Sequence, residues 1–327
     1  MAYARITGWG KYLPQRVMKN SDLEKLVDTS DEWIVARTGI RERHIVGDDE
    51  AASTMGIIAG RKALDVAGLS AEDLDLVILA TCSPDRITPA SAAYVQHALG
   101  ATRAGAFDAM AGCSGSLYAL VTAYQFIASG AYKNILVIGS ESLSRAIDWT
   151  DRSTCVLFGD GAGAVVVQAN DKSTDMLAFV LGNDGGGADL LYAPGPCGKR
   201  IDPTSNGHYY LHMDGSEVFR FAVNKLVDLV RQVVASAGLK VSDIDLLIPH
   251  QANERITKAA MKTLHLSSDK VFMNLDRYGN LSAASEMVAL CEAAEQGRLK
   301  EGDLVVLVAF GAGLSWASMA LRWQPKG

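Results

Sequence analysis

The 327-residue chain repeats itself, and that repetition limits its possible folds more than any other feature. Ala67 to Ile78 (AGLSAEDLDLVI) aligns with Ala237 to Ile248 (AGLKVSDIDLLI) at an offset of 170, with 7 of 12 residues identical. Gly112-Cys113 through Gly130 lies over Gly279-Asn280 through Gly297 at an offset of 167, and β-type runs at Leu136 and Leu304 follow each in turn. Three matches in order at a nearly constant offset predict two similar halves. A polar break at Asn170–Asp175 puts their joint between residues 1–171 and 172–327.

Within each half, short apolar runs alternate with helical stretches. Leu74–Leu79, Ile135–Ile138, Val165–Val167, Ile244–Ile248 and Leu304–Val308 read as buried strands, which predicts an α/β fold. Leu117, Leu120, Val121 and Tyr124 keep helical spacing after Gly112, and Gly130 stands where a C-terminal cap belongs. Residues 182–216, rich in Gly and Pro, predict an elaborated loop without a counterpart in the first half.

Lys and Arg number 31 against 37 Asp and Glu, a net charge of −6, and no long basic run occurs, which argues against a nucleic-acid partner. No apolar run approaches the ~20 residues of a membrane span and the N-terminus lacks a signal-peptide core, so no membrane association and a cytoplasmic location are expected. The five cysteines (Cys82, Cys113, Cys155, Cys197, Cys291) are odd in number and never in C-x-x-C spacing. That argues against both a disulfide framework and a zinc ribbon and leaves single-thiol chemistry.

Cys113 lies among small residues (Ala111-Gly112-Cys113-Ser114-Gly115-Ser116) where the apolar helix begins. There a thiol faces the positive end of a helix and unpaired N–H groups, which favour the thiolate. A buried structural thiol is the plainer alternative, and it suits Cys155 and Cys291 better. His250 follows the strand ending Ile248-Pro249, and a helix starting near Ala252–Glu254 turns the chain away. Asn280 matches Cys113 in the duplication; its plain reading is a helix N-cap. Related by a pseudo-twofold, the three would converge, and a thiolate, an imidazole and a carboxamide together suit acyl transfer. Gly159-Asp160-Gly161-Ala162-Gly163 looks like a dinucleotide fingerprint, but a β-run follows it where a helix is required, so phosphate cradling is rejected. Phe310-Gly311-Ala312-Gly313 ends a strand, either as a source of oxyanion N–H groups or as a simple tight turn.

These residues resemble the β-ketoacyl-acyl-carrier-protein synthase III family of the thiolase-like superfamily. The resemblance spans nearly the whole chain. It is carried by Asp28-Thr29-Ser30-Asp31-Glu32-Trp33-Ile34 with Arg37-Thr38-Gly39-Ile40-Arg41-Glu42-Arg43, then Ala111-Gly112-Cys113, Phe158 to Gly163, Pro249-His250-Gln251-Ala252-Asn253 and Tyr278-Gly279-Asn280. It implies a five-layered αβαβα fold, a homodimer, and a Cys113–His250–Asn280 triad that condenses an acyl-CoA primer with malonyl-acyl carrier protein. Backbone N–H groups of Cys113 and Ala312 would hold the oxyanion, and no metal or organic cofactor is implied. By the same matching, Trp33 and Arg152 would sandwich the adenine of CoA and Arg37 would meet its phosphates. Thr29, Gly215, Phe219 and Asn253 would line the pantetheine path, and Arg220 and Arg255 would receive the carrier protein.

The chain departs from the family text at Leu281 (usually Thr), at Glu286 (usually apolar) and at Ala312 (usually Gly). Thr88 stands where some members carry a Phe that closes the acyl pocket across the dimer, which suggests room for branched or longer primers. A related acyltransferase or a condensing enzyme of secondary metabolism is the alternative. A cysteine hydrolase or thioesterase shares the Cys, His, Asn order but explains neither the duplication nor the long-range pattern.

Overall fold

The computed structural model describes residues 3–172, 174–195 and 210–324. Two sheets carry the chain. The first has the strand order Tyr3–Tyr12, Gly161–Asn170, Asn134–Glu141, Leu76–Ala80, Gly105–Ala109; the second has Met176–Asn183, Ser315–Arg322, Leu304–Gly311, Leu246–Pro249. In both, the first three strands in that order pair antiparallel and the next joins in parallel. The place of the fifth strand is held in the second sheet by a single parallel bridge from Leu247 to Val271.

The helices Gly115–Ala128 and Ser285–Glu295 lie between the sheets. Helices Ala52–Ala67 and Ser91–Leu99 cover the outer face of the first sheet, and Gly215–Ser236 and Glu254–Leu264 cover that of the second. The result is the five-layered αβαβα arrangement. Strand alternation builds it: Val305, Leu307 and Ala309 join the central core, while Leu304, Val306 and Val308 join the outer one. Among the described residues no helix is long and apolar enough to cross a membrane.

The repeated segments adopt the same local structure. Gly68 and Gly238 end their helices with φ of +63° and +72°, a short 3-10 turn follows each, and an aspartate opens each strand. Asp75 accepts from the N–H groups of Lys133 and Asn134, and Asp245 accepts from that of Leu304, so each clips its strand to a neighbour. The Gly159–Gly163 stretch leads into and opens the strand Gly161–Asn170, and its glycines serve close packing. A Cβ on Gly163 would lie 2.5 Å from backbone atoms of Met287 and Val288, because the helix Ser285–Glu295 rests directly on this strand.

Strands at Tyr3–Tyr12, Gly105–Ala109, Met176–Asn183 and Ser315–Arg322 lie outside the apolar runs singled out in the sequence. Met176–Asn183 alternates half-buried and exposed residues at a sheet edge, so it lacks a continuous apolar run. Of the expected loop at 182–216, the described part holds a 3-10 turn at Gly185–Leu190 and a two-residue hairpin pairing of Leu191–Tyr192 with His212–Met213. Cys197 lies outside the described residues.

Candidate active site

Cys113 stands two residues ahead of the helix Gly115–Ala128, held at 7% exposure in a short loop. Gly112 has φ of +57°, a conformation costly for a residue with a Cβ, and a Cβ there would also lie 2.6 Å from the Ala312 carbonyl oxygen. A Cβ on Gly311 would likewise sit 2.7 Å from the Cys113 nitrogen. The hairpin turn Gly311–Gly313 of the second sheet thus packs peptide against peptide on the cysteine loop. Two hydroxyls tie them: Ser114 and Ser315 lie 2.7 and 2.9 Å from the Ala111 carbonyl oxygen and 2.7 Å from each other.

His250 closes the strand Leu246–Pro249. Pro249 belongs to the ladder, where it has no N–H to give, and the His250 N–H resumes the pairing by donating to Val308 at 2.7 Å. The imidazole is buried, edge-on to the Phe310 ring at 5.4 Å. Its Nδ1 lies 2.8 Å from Oε1 of Glu286, which is wholly buried. The two atoms do not face one another squarely enough for a linear hydrogen bond and have no other partner, so the contact is chiefly Coulombic. Burial alone would lower the proton affinity of His250, but the charges of Glu286 and then Cys113 outweigh it and raise the pKa to about 10. Burial pushes the Glu286 carboxyl up and His250 opposes that. We assign the shared proton to the imidazole, because Glu286 sits in the first turn of the helix Ser285–Glu295, whose positive end favours the carboxylate.

Asn280 is fixed by the other half. Its N–H donates to Leu157 at 2.9 Å and its carbonyl accepts from Gly159 at 3.1 Å. The side-chain Oδ1 accepts from the Ser282 N–H at 2.8 Å, which leaves the Nδ2 hydrogens for a ligand. Asn280 therefore stands one residue ahead of the cap position, Leu281, of a 3-10 turn, Ser282–Ala284, and the helix proper starts only at Ser285, later than the duplication suggests.

Cys113, His250, Asn280 and Ala312 all line one cavity of about 710 Å³. Gly215, Phe219 and Asn253 line it too. Trp33, Arg37 and Arg152 do not; they form a separate stack, with guanidinium carbons 4.9 Å (Arg152) and 5.7 Å (Arg37) from the Trp33 ring centre. Asn253 joins the two groups by donating to the Arg37 carbonyl at 3.1 Å. Arg255 lies over the Phe219 ring at 5.4 Å, and Arg220 is exposed and paired with Glu217. Thr29 does not line the cavity, and its buried hydroxyl has no partner. Thr88 is exposed and does not line its own chain's cavity.

Two carboxylates that the sequence left without a role belong to this neighbourhood. Glu286 backs His250. Glu141, fully buried, accepts from the N–H of Cys82 (3.1 Å) and of Ala283 (3.3 Å), bracing the loop after Ala80 against the turn after Asn280. Burial pushes the Cys82, Cys155 and Cys291 thiols well up, so these remain protonated.

Family models for 3-oxoacyl-[acyl-carrier-protein] synthase III match residues 107–185, and for its C-terminal part residues 234–323. A β-ketoacyl-[acyl-carrier-protein] synthase III of Symbiobacterium thermophilum is 53% identical over 322 residues, 97% of each chain. The crystal structure of 3-oxoacyl-[acyl-carrier-protein] synthase III from Aquifex aeolicus superposes with a TM-score of 0.92 at 47% identity, covering 98% of this chain and 100% of that one. The priming β-ketosynthase of the R1128 polyketide pathway gives 0.94 at 37% identity, covering 99% and 97%. With duplicated halves and a thiol, an imidazole and a carboxamide meeting in one cavity, the chain belongs to the β-ketoacyl-acyl-carrier-protein synthase III family of thiolase-like condensing acyltransferases.

Proposed function

We propose that Cys113, His250 and Asn280 are the catalytic residues and that the substrates are an acyl-CoA primer and malonyl-acyl carrier protein. The observation that carries this reading is the convergence of the three, from both halves, on one cavity beside the Gly311–Gly313 turn. The Cys113 thiolate attacks the acyl-CoA thioester, the carbonyl carbon passes to sulfur, and CoA leaves. Malonyl-acyl carrier protein then loses CO2, and its thioester oxygen takes the charge while accepting hydrogen bonds from the His250 imidazole and the Asn280 Nδ2. The resulting carbanion attacks the acyl-Cys113 carbonyl, whose oxygen is held by the N–H groups of Cys113 and Ala312. Collapse releases the 3-ketoacyl product and restores the thiolate.

In this reading Trp33, Arg152 and Arg37 receive the adenine and phosphates of CoA, since planar cations and an indole offer stacking faces and positive charge. Gly215, Phe219 and Asn253 border the pantetheine, and Thr29, outside the cavity lining, is assigned to the same path by the motif match alone. Arg220 and Arg255 meet the acidic carrier protein, a local basic patch on a chain of net charge −6. The working unit is a homodimer. Among the described residues the edge strand Gly105–Ala109 has no outer partner, and Phe107, Met110 and Ile87 are exposed. Thr88 lies near them in sequence and acts on the primer pocket of a second copy, where its small size admits branched or longer acyl groups.

The test is mass spectrometry of Cys113 after incubation with a panel of acyl-CoAs, followed by malonyl-acyl carrier protein with detection of CO2 and product. Acylation then malonyl-dependent 3-ketoacyl product is expected. Acylation yielding only free acid, or transfer without CO2, overturns the reading in favour of a thioesterase or acyltransferase. A second reading, priming of polyketide synthesis, is favoured by the likeness to the R1128 enzyme. Preference for a polyketide over a fatty-acid carrier protein in the same assay would select it.

A further inference from the structure

We propose that Glu286 is a positioning residue that keeps the His250 imidazole protonated on both nitrogens throughout the catalytic cycle, so that Nε2 remains a hydrogen-bond donor after the Cys113 thiolate has been consumed. The proposal rests on the reading of the triad given above. Its geometry is the 2.8 Å approach of Glu286 Oε1 to Nδ1 on the ring edge opposite the one that serves the reaction, with both side chains closed off from solvent. A carboxylate buried without a cation is strongly destabilising, whereas beside an imidazolium it is compensated. Two features favour that ionised pair over a neutral one: the first helical turn under Glu286 and the Ser116 hydroxyl 3.4 Å from its second oxygen.

The titratable groups facing His250 are Glu286, from the helix Ser285–Glu295, and Cys113, from the loop before Gly115–Ala128; the strand Leu304–Gly311 presents only the Phe310 ring. Glu286 faces His250 and the neutral Ser116. Cys82 interacts with Glu141 and with Cys113, and Glu141 with Cys82, Ser83, Ser282 and Ala283, rather than with the imidazole.

The proton balance follows. Cys113 gives its thiol proton to Nε2, leaving a thiolate beside an imidazolium whose Nδ1–H faces the Glu286 carboxylate. The thiolate forms the new C–S bond, the C–S bond to CoA breaks, and the CoA thiolate takes a proton from water. At that point the negative charge on Cys113 is gone. An imidazole held only by that charge would revert toward its ordinary pKa, ~6.5, and lose its donor at neutral pH. The Glu286 charge remains, so the imidazolium persists and Nε2–H is available to the oxygen of the decarboxylating malonyl thioester. When the acyl–Cys113 bond breaks after condensation, the thiolate re-forms beside the same imidazolium.

The experiment compares the parent with Glu286→Gln and Glu286→Asp. The pH dependence of kcat/KM for malonyl-acyl carrier protein is measured, and in the parent the 15N shifts of the His250 ring are recorded at pH 7 and 8 after acylation of Cys113. Glu286→Gln keeps shape and removes charge. Its alkaline limb is expected to fall back toward the ordinary imidazole value of ~6.5, about a thirtyfold loss at pH 8, with Glu286→Asp lying between. The parent ring is expected to show both nitrogens protonated. Superimposable limbs, or a uniform loss at every pH, overturn the proposal, as does a neutral ring protonated on one nitrogen in the parent. The ring shifts decide the matter if the Gln variant does not fold. They can also be read after alkylating Cys113 with iodoacetamide, which removes the thiolate charge as acylation does, so a chain that fails to condense anything still tests the dyad.

Discussion

The two halves share a frame and differ in what they place on it. Gly112-Cys113 and Gly279-Asn280 occupy equivalent turns, with the glycines at φ of +57° and +69°. At the offset of 170, however, His250 stands over Ala80, and at the offset of 167 Glu286 stands over Ala119. Both alanines are buried in the first half, where the equivalent places hold only methyl groups, while the second half buries an imidazole and a carboxylate 2.8 Å apart. One half therefore places a thiol just ahead of a helix, and the other an imidazole beside a buried carboxyl group. The lesson is that duplication provides two facing helix starts and strand ends, and that chemistry arises where the copies have ceased to match.

Four measurements would break or sharpen this comparison, beginning with the largest effect. Cys113→Ala should lower condensation by at least about 10³-fold, because the covalent step has no other nucleophile, while malonyl decarboxylation by His250 and Asn280 persists. Parallel loss of both activities would show that the halves do not divide the work this way. Ala119→Glu places in the first half the carboxylate that Glu286 provides in the second, without an imidazole at position 80. Denaturation in urea should show a loss of about 4 kcal/mol, the scale of an uncompensated buried charge. A loss under about 1 kcal/mol would mean that His250 is not what makes Glu286 tolerable.

A third test concerns the seam between halves. Asp175 accepts from the Ile6 N–H at 2.9 Å and from the Tyr124 hydroxyl, and burial raises its pKa to about 7. The folded chain then holds a proton up to about pH 7 that the unfolded chain releases near pH 4, so the folded state binds more protons between these values. Stability from this group is therefore present below about pH 4 and declines as pH rises to 7, by about 4 kcal/mol. Urea midpoints at pH 5 and 8 should show a smaller decline in Asp175→Asn than in the parent. The smallest effect distinguishes the two strand clips. Asp75→Ala, which frees two N–H groups, should cost about 2 kcal/mol, and Asp245→Ala, which frees one at a more exposed position, about 1 kcal/mol. Equal costs would mean that the clips differ only in number of bonds, not in their contribution.

Much of the frame was legible in the residues because repeats, strand periodicity and helix starts are local or self-referential patterns. Cys113, His250 and Asn280 could be singled out since each sits at the end of a predicted element, and the duplication itself implied that two of them face one another. Glu286 was visible only as a charge in an apolar helical stretch. Its partner lies 36 positions earlier, at the end of a strand, and no spacing rule links them. Thr29 and Thr88 show the opposite limit: the motif match gives each a role, yet neither lines the cavity of its own chain.

By itself, then, the sequence determined the duplicated α/β architecture, the family, and the three side chains that meet in one cavity, because each depends on periodicity or on motifs contiguous in the chain. Only the tertiary structure decided that the Gly159–Gly163 stretch is a packing surface for the helix Ser285–Glu295, that the Gly311–Gly313 turn seals the cysteine loop, and that His250 is buried 2.8 Å from Glu286. Those outcomes depend on distances between segments far apart in sequence, which arise only when helix backbone meets sheet backbone without side chains between them.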